Sequence, residues 1–349
     1  MVGRVLTAAA WLYGAGVRVR RWWYEHGGGH VRSLGRTVVS IGNLTVGGTG
    51  KTPLVIALGE ALSARGVGVA VLSRGYGGQL ERVGGMVSDG SGRPAVAWTE
   101  AGDEPALIAR RLPHAVVIVG RNRVAAWSRF GRLVPREVCL LDDGFQHLAV
   151  ARDADLLLID ATEPFVGAAL LPRGRLREPL SVLSRASAVV ITRADQASPD
   201  AVDMIERYLA SRHPSIPVFY ARFVASSLLP VGGGAAVPVD RLKRIRVLAV
   251  AGIGRFESFR ALVDREGATI VETIQFRDHH PYRAVDLDRI RTRARASGAD
   301  LVVTTEKDAI KMETLVQAGE PLWAVRIDAR VEAAATWNAW IDRIVRAVA

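Results

Sequence analysis

At 349 residues, with 49% hydrophobic and 23% charged side chains, the chain can build one large or two ordinary domains, and its composition excludes wholesale disorder. A single cysteine, Cys139, excludes a disulfide framework and any multi-cysteine metal centre. The 46 basic residues outnumber the 35 acidic ones for a formal charge of +11, which favours anionic partners. Only four of the basic residues are lysines, Lys51, Lys243, Lys307 and Lys311.

The charge is uneven, because residues 1–36 hold six Arg and one Glu. No apolar run there reaches the ~18 residues of a spanning helix. The run 5–17 lacks a small-residue cleavage site, which argues against a cleaved signal peptide. At ~100° per residue, Val5, Ala8, Leu12, Val19 and Trp23 share one helical face, with Arg18, Arg21 and Glu25 opposite and Trp11, Trp22 and Tyr24 on the flanks. Such a helix suits the headgroup region of an anionic membrane, or equally a packed helix with its Arg face in water. Gly27-Gly28-Gly29 ends it.

From residue 37 onward short apolar runs alternate with helical patterns. Strands are predicted at 37–41, 66–72, 115–119, 137–141, 155–159 and 188–192, and helices at 53–64 and 104–112, which specifies an α/β domain with a mostly parallel sheet. The Pro- and Gly-rich stretch 228–239 reads as a linker or small ribbon. Alternation then resumes, with strands at 246–251, 269–276 and 300–304 and helices at 256–266, 284–296 and 333–348. The expected division is therefore 1–36, 37–225, 226–245 and 246–349, the last a smaller α/β unit.

The strand 38–41 runs into Gly42-Asn43-Leu44-Thr45-Val46-Gly47-Gly48-Thr49-Gly50-Lys51-Thr52, and Pro53 opens a helix. Strand, Gly-rich loop and helix is the context of a phosphate-binding P-loop, although Thr45 replaces the first Gly of the usual pattern. Residues Thr45, Gly47, Gly48, Thr49 and Gly50 would turn backbone N–H groups towards phosphate oxygens, Lys51 would reach the β- and γ-phosphates, and Thr52 would bind Mg²⁺. Val138-Cys139-Leu140-Leu141 ends in Asp142-Asp143, as in a strand whose terminal carboxylate serves Mg²⁺. Cys139 itself reads as a small core residue.

In order along the chain, the P-loop, Ser73-Arg74-Gly75-Tyr76-Gly77, Gly102-Asp103-Glu104-Pro105 and Gly120-Arg121-Asn122-Arg123 are followed by Asp142-Asp143-Gly144-Phe145-Gln146-His147. Leu176-Arg177-Glu178-Pro179, Phe276-Arg277-Asp278-His279-His280 and Thr305-Glu306-Lys307-Asp308 complete the set. This ordered series resembles the tetraacyldisaccharide 4′-kinase (lipid A 4′-kinase) family of Gram-negative bacteria over nearly the whole chain. The resemblance implies a P-loop NTPase-like three-layer α/β/α domain, a second smaller α/β unit and an N-terminal amphipathic helix. It implies ATP and Mg²⁺, and phosphorylation of the 4′-hydroxyl of a tetraacyl glucosamine disaccharide 1-phosphate. It also places the protein peripherally on the cytoplasmic face of the inner membrane. No aromatic-basic recognition module follows the N-terminal segment, so no nucleic acid is expected, and no obligate protein partner. The stretch 171–176 carries more Arg than the family's turn.

By themselves, Gly102-Asp103-Glu104-Pro105 is a helix N-cap and Thr305-Glu306-Lys307-Asp308 a capping box. The family match makes Asp103 a proton acceptor polarised by His279, and Glu104 a Mg²⁺ contact beside Asp142. Arg74, Arg121, Arg123 and Arg177 could hold phosphates through paired donors, or equally be surface arginines, and Tyr76 could stack on a sugar or belong to the core; with Asp143, Gln146 and His147 they are the expected acceptor-substrate residues. Gly252-Ile253-Gly254 lacks the third Gly of a dinucleotide fingerprint, and Ile191-Thr192-Arg193-Ala194-Asp195 lacks the Lys of a guanine-reading loop. The alternative reading is a P-loop ATPase or GTPase that drives a protein partner or a metallochaperone; Val46, where partition ATPases carry Lys, counts against it.

Overall fold

The computed structural model describes residues 2–92, 94–131, 137–163 and 165–347. The strands are β1 (Thr37–Asn43), β2 (Val69–Ser73), β3 (Gly85–Asp89), β4 (Val116–Val119), β5 (Val138–Asp142), β6 (Ala154–Asp160), β7 (Ala188–Thr192) and β8 (Val218–Pro230). Then follow β9 (Val237–Pro238), β10 (Arg246–Ala251), β11 (Thr269–Gln275), β12 (Leu301–Thr305) and β13 (Leu322–Val331). They form one 13-stranded sheet, ordered β11-β10-β12-β13-β8-β7-β6-β1-β5-β2-β4-β3, with β9 against β8.

Strands β6, β1, β5, β2 and β4 are parallel neighbours with buried residues on both faces. Period-2 alternation sends Val39 and Ile41 towards the helices Lys51–Ser63, Asp103–Arg111 and Ala334–Arg346, and Val38 towards Trp127 on the opposite face. Burial on both faces explains why these strands read as continuous apolar runs. The segment 246–331 repeats the scheme. Helix Phe256–Arg265 covers Val247, Ala249 and Val303, while helix Ala284–Ser297 covers Leu248, Val250 and Val302 on the other side. Each half is thus an α/β/α sandwich.

The two halves share the long strand β8. Its first residues run parallel to β7 and the rest pairs antiparallel with β13, from Ala221↔Val331 to Pro230↔Trp323. The predicted linker at 228–239 contains the end of β8 and the short β9, paired at Ser227↔Pro238. The sequence pattern did not yield β3, β8, β13 or the helices Arg123–Phe130 and Pro199–Arg212.

The first helix, Val2–Glu25, faces the protein with Ala10 and Gly14, both buried. A Cβ at Gly14 would press into Leu170 at 2.7 Å, so the small residue permits close packing. The opposite stripe is open: Val5, Trp11, Leu12 and Val19 are each more than 60% exposed, and Trp22 and Trp23 more than half.

Candidate active site

The C-terminal ends of β1, β2 and β5 open into a cleft of about 750 Å³, closed on its far side by 253–255, 278–279 and 305–307. Ligands bind at such strand ends because the loops there converge without closing the sheet. At its centre the loop from Asn43 turns into helix Lys51–Ser63 through Gly50 at φ +88°. A Cβ on Gly50 would overlap the Phe223 ring, so only glycine fits. Thr192 Oγ1 donates to the Thr49 carbonyl at 3.1 Å, whereas the buried Thr49 hydroxyl has no hydrogen-bond partner among the described residues. An unpaired buried hydroxyl in a loop of turned N–H groups suits an incoming anion. Lys51 Nζ rests 3.1 Å from Asn43 Oδ1 and 3.4 Å from Asp143 Oδ1. Thr52 lines the cleft beside it. Thr45 lies just outside the lining, buried, with its carbonyl accepting from Asn43 Nδ2 at 2.6 Å.

Beside the loop, β5 delivers Asp142, which accepts from Ser73 Oγ at 2.8 Å. Burial, then the neighbouring carboxylates Glu104 and Asp143, push Asp142 up to about 6. Asp143 goes the other way: burial opposes its charge, but Lys51 and the Arg177 guanidinium, at 2.9–3.0 Å, outweigh it and hold the carboxyl below its ordinary range. Its backbone is left-handed, φ +47°.

Among the described residues no three His, Cys, Asp or Glu side chains converge as a ready-made metal cage. Mg²⁺ shared with a polyphosphate needs none, since one or two carboxylates suffice alongside phosphate and water. The hard oxygens of Thr52, Asp142 and Glu104, and the carboxylate repulsion felt by Asp142, fit that ion.

Across the cleft, Gly102 at φ +88° starts helix Asp103–Arg111. A Cβ there would stand 2.8 Å from the Tyr76 carbonyl, so the glycine lets the two loops meet. Asp103 is 4% exposed, and both its oxygens lie 3.0 Å from His279 Nδ1. Burial alone would raise its pKa. The hydrogen bond to His279 and the charges of Lys307 and Lys311 reverse this and bring it to about 2. Burial lowers the His279 pKa, but Asp103 more than compensates and the net shift is upward. His279 takes a left-handed backbone, φ +59°, and its ring tilts over Tyr76 at 5.1 Å. A non-glycine residue rarely sits there, and such conformations concentrate at functional sites. Its neighbour His280 faces away, bound to Asp286 at 3.1 Å and stacked on Phe276.

Arg74, Tyr76, Arg123, Gln146, His147 and Arg177 also line the cleft. Arg74 pairs with Glu81 at 2.6 Å and reaches over Tyr76. Arg123 is buried and donates to the Arg121 carbonyl at 3.3 Å. Arg121 itself is exposed and outside the lining. Gln146 Nε2 donates to the Asn43 carbonyl at 2.9 Å. Burial, then Arg123, Arg20 and Arg152, push His147 down to about 4.

Several cleft residues escaped the sequence reading. Lys307 Nζ reaches Glu104 Oε1 at 3.2 Å, Asp278 Oδ1 at 3.3 Å and His279 Nε2 at 3.4 Å. Thr305 does cap this helix, with Asp308 N donating to Thr305 Oγ1 at 3.1 Å, but the expected box does not close, because the Asp308 carboxylate accepts from Gly252 N and the Thr305 hydroxyl instead of the Thr305 N–H; Lys307 follows in the first turn and lines the cleft. From the first helix, Tyr13 donates to the Arg177 carbonyl at 2.9 Å and Arg20 to the Gln146 carbonyl at 3.3 Å. Gly254 abuts the P-loop, a Cβ there standing 3.6 Å from Gly48 N.

A phosphate loop facing a buried carboxylate–imidazole pair, with acid and lysine between them, equips the molecule to move a phosphoryl group, and its class is that of the P-loop phosphotransferases. Within that class the family is specific. The family model for Tetraacyldisaccharide-1-P 4′-kinase matches residues 2–346, and the chain belongs to this family. The tetraacyldisaccharide 4′-kinase of Geobacter metallireducens is 41% identical over 300 residues, 86% of each chain. That of Geobacter sulfurreducens is 38% identical over 345 residues, 99% of this chain and 94% of its own. The crystal structure of LpxK from Aquifex aeolicus in complex with ATP aligns with TM-score 0.77 and 31% identity over 99% of both chains. The chain is a kinase, and the partner-driving ATPase or GTPase alternative falls away. Among the described residues no helix is long and apolar enough to cross a membrane.

Proposed function

We propose that the cleft transfers the γ-phosphoryl group of ATP to the 4′-hydroxyl of a tetraacyl glucosamine disaccharide 1-phosphate, with Asp103 and His279 as the proton-accepting pair. The observation that carries this reading is the Asp103–His279 contact, 3.0 Å to both carboxylate oxygens, in the same cleft as the P-loop. Asp103 is ionised in the resting site and can take a proton. As the acceptor oxygen bonds to the γ-phosphorus and the bond to the β-phosphate oxygen breaks, the hydroxyl proton passes to the Asp103–His279 pair and ADP leaves.

Thr45, Gly47, Gly48, Thr49 and Gly50 supply the phosphate cradle, and Lys51 exchanges Asp143 for the β- and γ-phosphates. Thr52, Asp142 and Glu104 would hold Mg²⁺, which when bound would neutralise charge on the phosphates. Arg74, Tyr76, Arg121, Arg123, Asp143, Gln146, His147 and Arg177 orient the acceptor; paired guanidinium donors suit its 1-phosphate. The units 37–225 and 246–349, joined through 226–245, each contribute one side of the transfer. The exposed stripe of the first helix, with its tryptophans, rests on the anionic cytoplasmic face of the inner membrane, where the lipid acceptor resides. No nucleic acid and no obligate protein partner enters this scheme. The test is ATP-dependent phosphorylation of the disaccharide 1-phosphate in mixed micelles: product bearing the new phosphate at the 4′-position supports the reading, and its absence with folded enzyme refutes it.

A further inference from the structure

Behind the proton-accepting pair lies a lysine with almost no access to water. The Lys311 side chain is 1% exposed. Its Nζ lies 3.5 Å from Asp103 Oδ2 and 3.0 Å from Asp308 Oδ1, and it stands over the Tyr282 ring at 5.4 Å. Asp308 is wholly buried and is itself held by the Gly252 N–H at 3.0 Å and the Thr305 hydroxyl at 2.8 Å. A cation in such a place costs several kcal/mol to desolvate unless its partners are well placed. One carboxylate, supported by two donors, would already neutralise it. The second, Asp103, comes from a helix some 200 residues earlier and carries the proton-accepting role.

We propose that Lys311 is a positioning residue for phosphoryl transfer: set by Asp308, it fixes the rotation of the Asp103 carboxylate so that both oxygens stay aligned on His279. This rests on the proton-accepting role given to Asp103 and His279 above. Helical geometry makes the device work. Asp308 and Lys311 lie three residues apart on one face of helix Glu306–Met312, and this helix packs on helix Asp103–Arg111. The charged groups facing Lys311 are Asp103 and Asp308, with Lys307 and His279 beyond Asp103 and the Tyr282 hydroxyl beside Asp308. Lys307 approaches Asp103 Oδ2 only at 3.8 Å and is shared with Glu104 and Asp278, so it cannot replace Lys311 behind the carboxylate.

The purified full-length enzyme with ATP and the disaccharide lipid in micelles provides the test. Lys311→Met leaves Asp308 buried without its cation and is expected to melt at a lower temperature. The double variant Lys311→Met/Asp308→Asn removes both charges, so its melting temperature should recover towards that of the parent. If Lys311 positions Asp103, both variants lose about 10- to 100-fold in kcat, the scale of a misaligned catalytic group, with KM for ATP unchanged. Asp308→Asn alone keeps the cation beside Asp103 but weakens its anchor, so it should lose less kcat than either variant that lacks Lys311; an equal or larger loss would place the effect in Asp308 and overturn the part given to Lys311. Recovery of kcat together with melting temperature in the double variant would overturn the proposal and leave Lys311 as a counter-ion to Asp308. His279→Ala is run beside them: full activity there would refute the proton-accepting pair itself, whereas loss there with none in the double variant refutes only the part given to Lys311.

Discussion

The Asp103–His279 pair yields the most stringent prediction. The fall of the Asp103 pKa from 3.8 to about 2 corresponds to roughly 2–3 kcal/mol in favour of the ionised form. That surplus remains after burial has been paid for, and it comes from His279, Lys307 and Lys311 together. Asp103→Asn keeps the shape but removes the charge that these groups surround, so it should lower thermal stability as well as turnover. His279→Ala removes one of these favourable contacts but leaves Lys307 and Lys311 on Asp103, so it should lower the melting temperature less than Asp103→Asn. In kcat each variant is expected to fall about 10²–10⁴-fold, the usual contribution of a positioned base, or about 2.7–5.5 kcal/mol. Two residues acting on one proton are non-additive, so the double variant should be little slower than the slower single one. The assay is steady-state transfer to the disaccharide 1-phosphate at saturating ATP, with nucleotide affinity measured separately by fluorescence titration. ATP affinity should hold throughout, because neither side chain belongs to the phosphate loop. Two small losses that multiply in the double variant would refute the pair and reduce Asp103 to a helix-terminal residue.

Lys51→Ala should cut kcat about 10²–10³-fold, as for loss of a preorganised electrostatic contact, while circular dichroism and melting stay normal, since Lys51 Nζ rests on Asn43 and Asp143 at the cleft wall and not in the core. Trp11→Glu/Leu12→Glu, on the open side of the first helix, should reduce partitioning onto anionic vesicles at least tenfold, each buried apolar side chain being worth about 1.5–3 kcal/mol. Turnover in micelles should survive, because Tyr13 and Arg20 keep their inner contacts; unchanged partitioning would return the helix to a purely packed role. Deleting 1–25 is a blunter test, since it removes those inner contacts too. His147 is pushed down to about 4 in the fold against ~6.5 unfolded, so the unfolded chain binds the extra proton and stability is lost as pH falls from about 6.5 towards 4. His147→Gln should flatten that part of the stability–pH curve, read by chemical denaturation; an unaltered acid limb would show that other groups carry it.

The legible parts of the fold are those where one physical cause dominates. Strands β1, β2, β4, β5, β6 and β7 are buried on both faces and announce themselves as Val-, Ile- and Leu-rich runs. Strands β8 and β13 were hidden because they are half-buried and carry charges within the strand, among them Arg222, Arg326, Asp328 and Arg330. Asp328 and Glu306 both pair with the buried Arg111, so what reads as polar loop is a set of interior ion pairs between distant segments. In the site, the P-loop was legible because its backbone demands glycine. The side-chain partners were not, since His279 and Asp103 are 176 residues apart and only the fold fixes which of two adjacent histidines turns inward. The left-handed backbone at His279 makes that choice, and nothing in Asp278-His279-His280 by itself specifies it.

The scarcity of lysine in the composition has a structural counterpart. An Arg-rich chain with only four lysines needs a reason for each one it keeps. Lys51 and Lys307 line the cleft and Lys311 stands directly behind it. The space behind Asp103 offers one oxygen each from Asp103 and Asp308, with no bidentate carboxylate to match the planar fork of an arginine. A slim stem ending in a compact charge fits this geometry, and the same property lets Lys51 move between Asp143 and a phosphate. The fourth, Lys243, sits in a turn, packed on Gly267. Around the cleft, lysine stands where the charge must be a compact point; Lys243, exposed in its turn, lies outside that pattern.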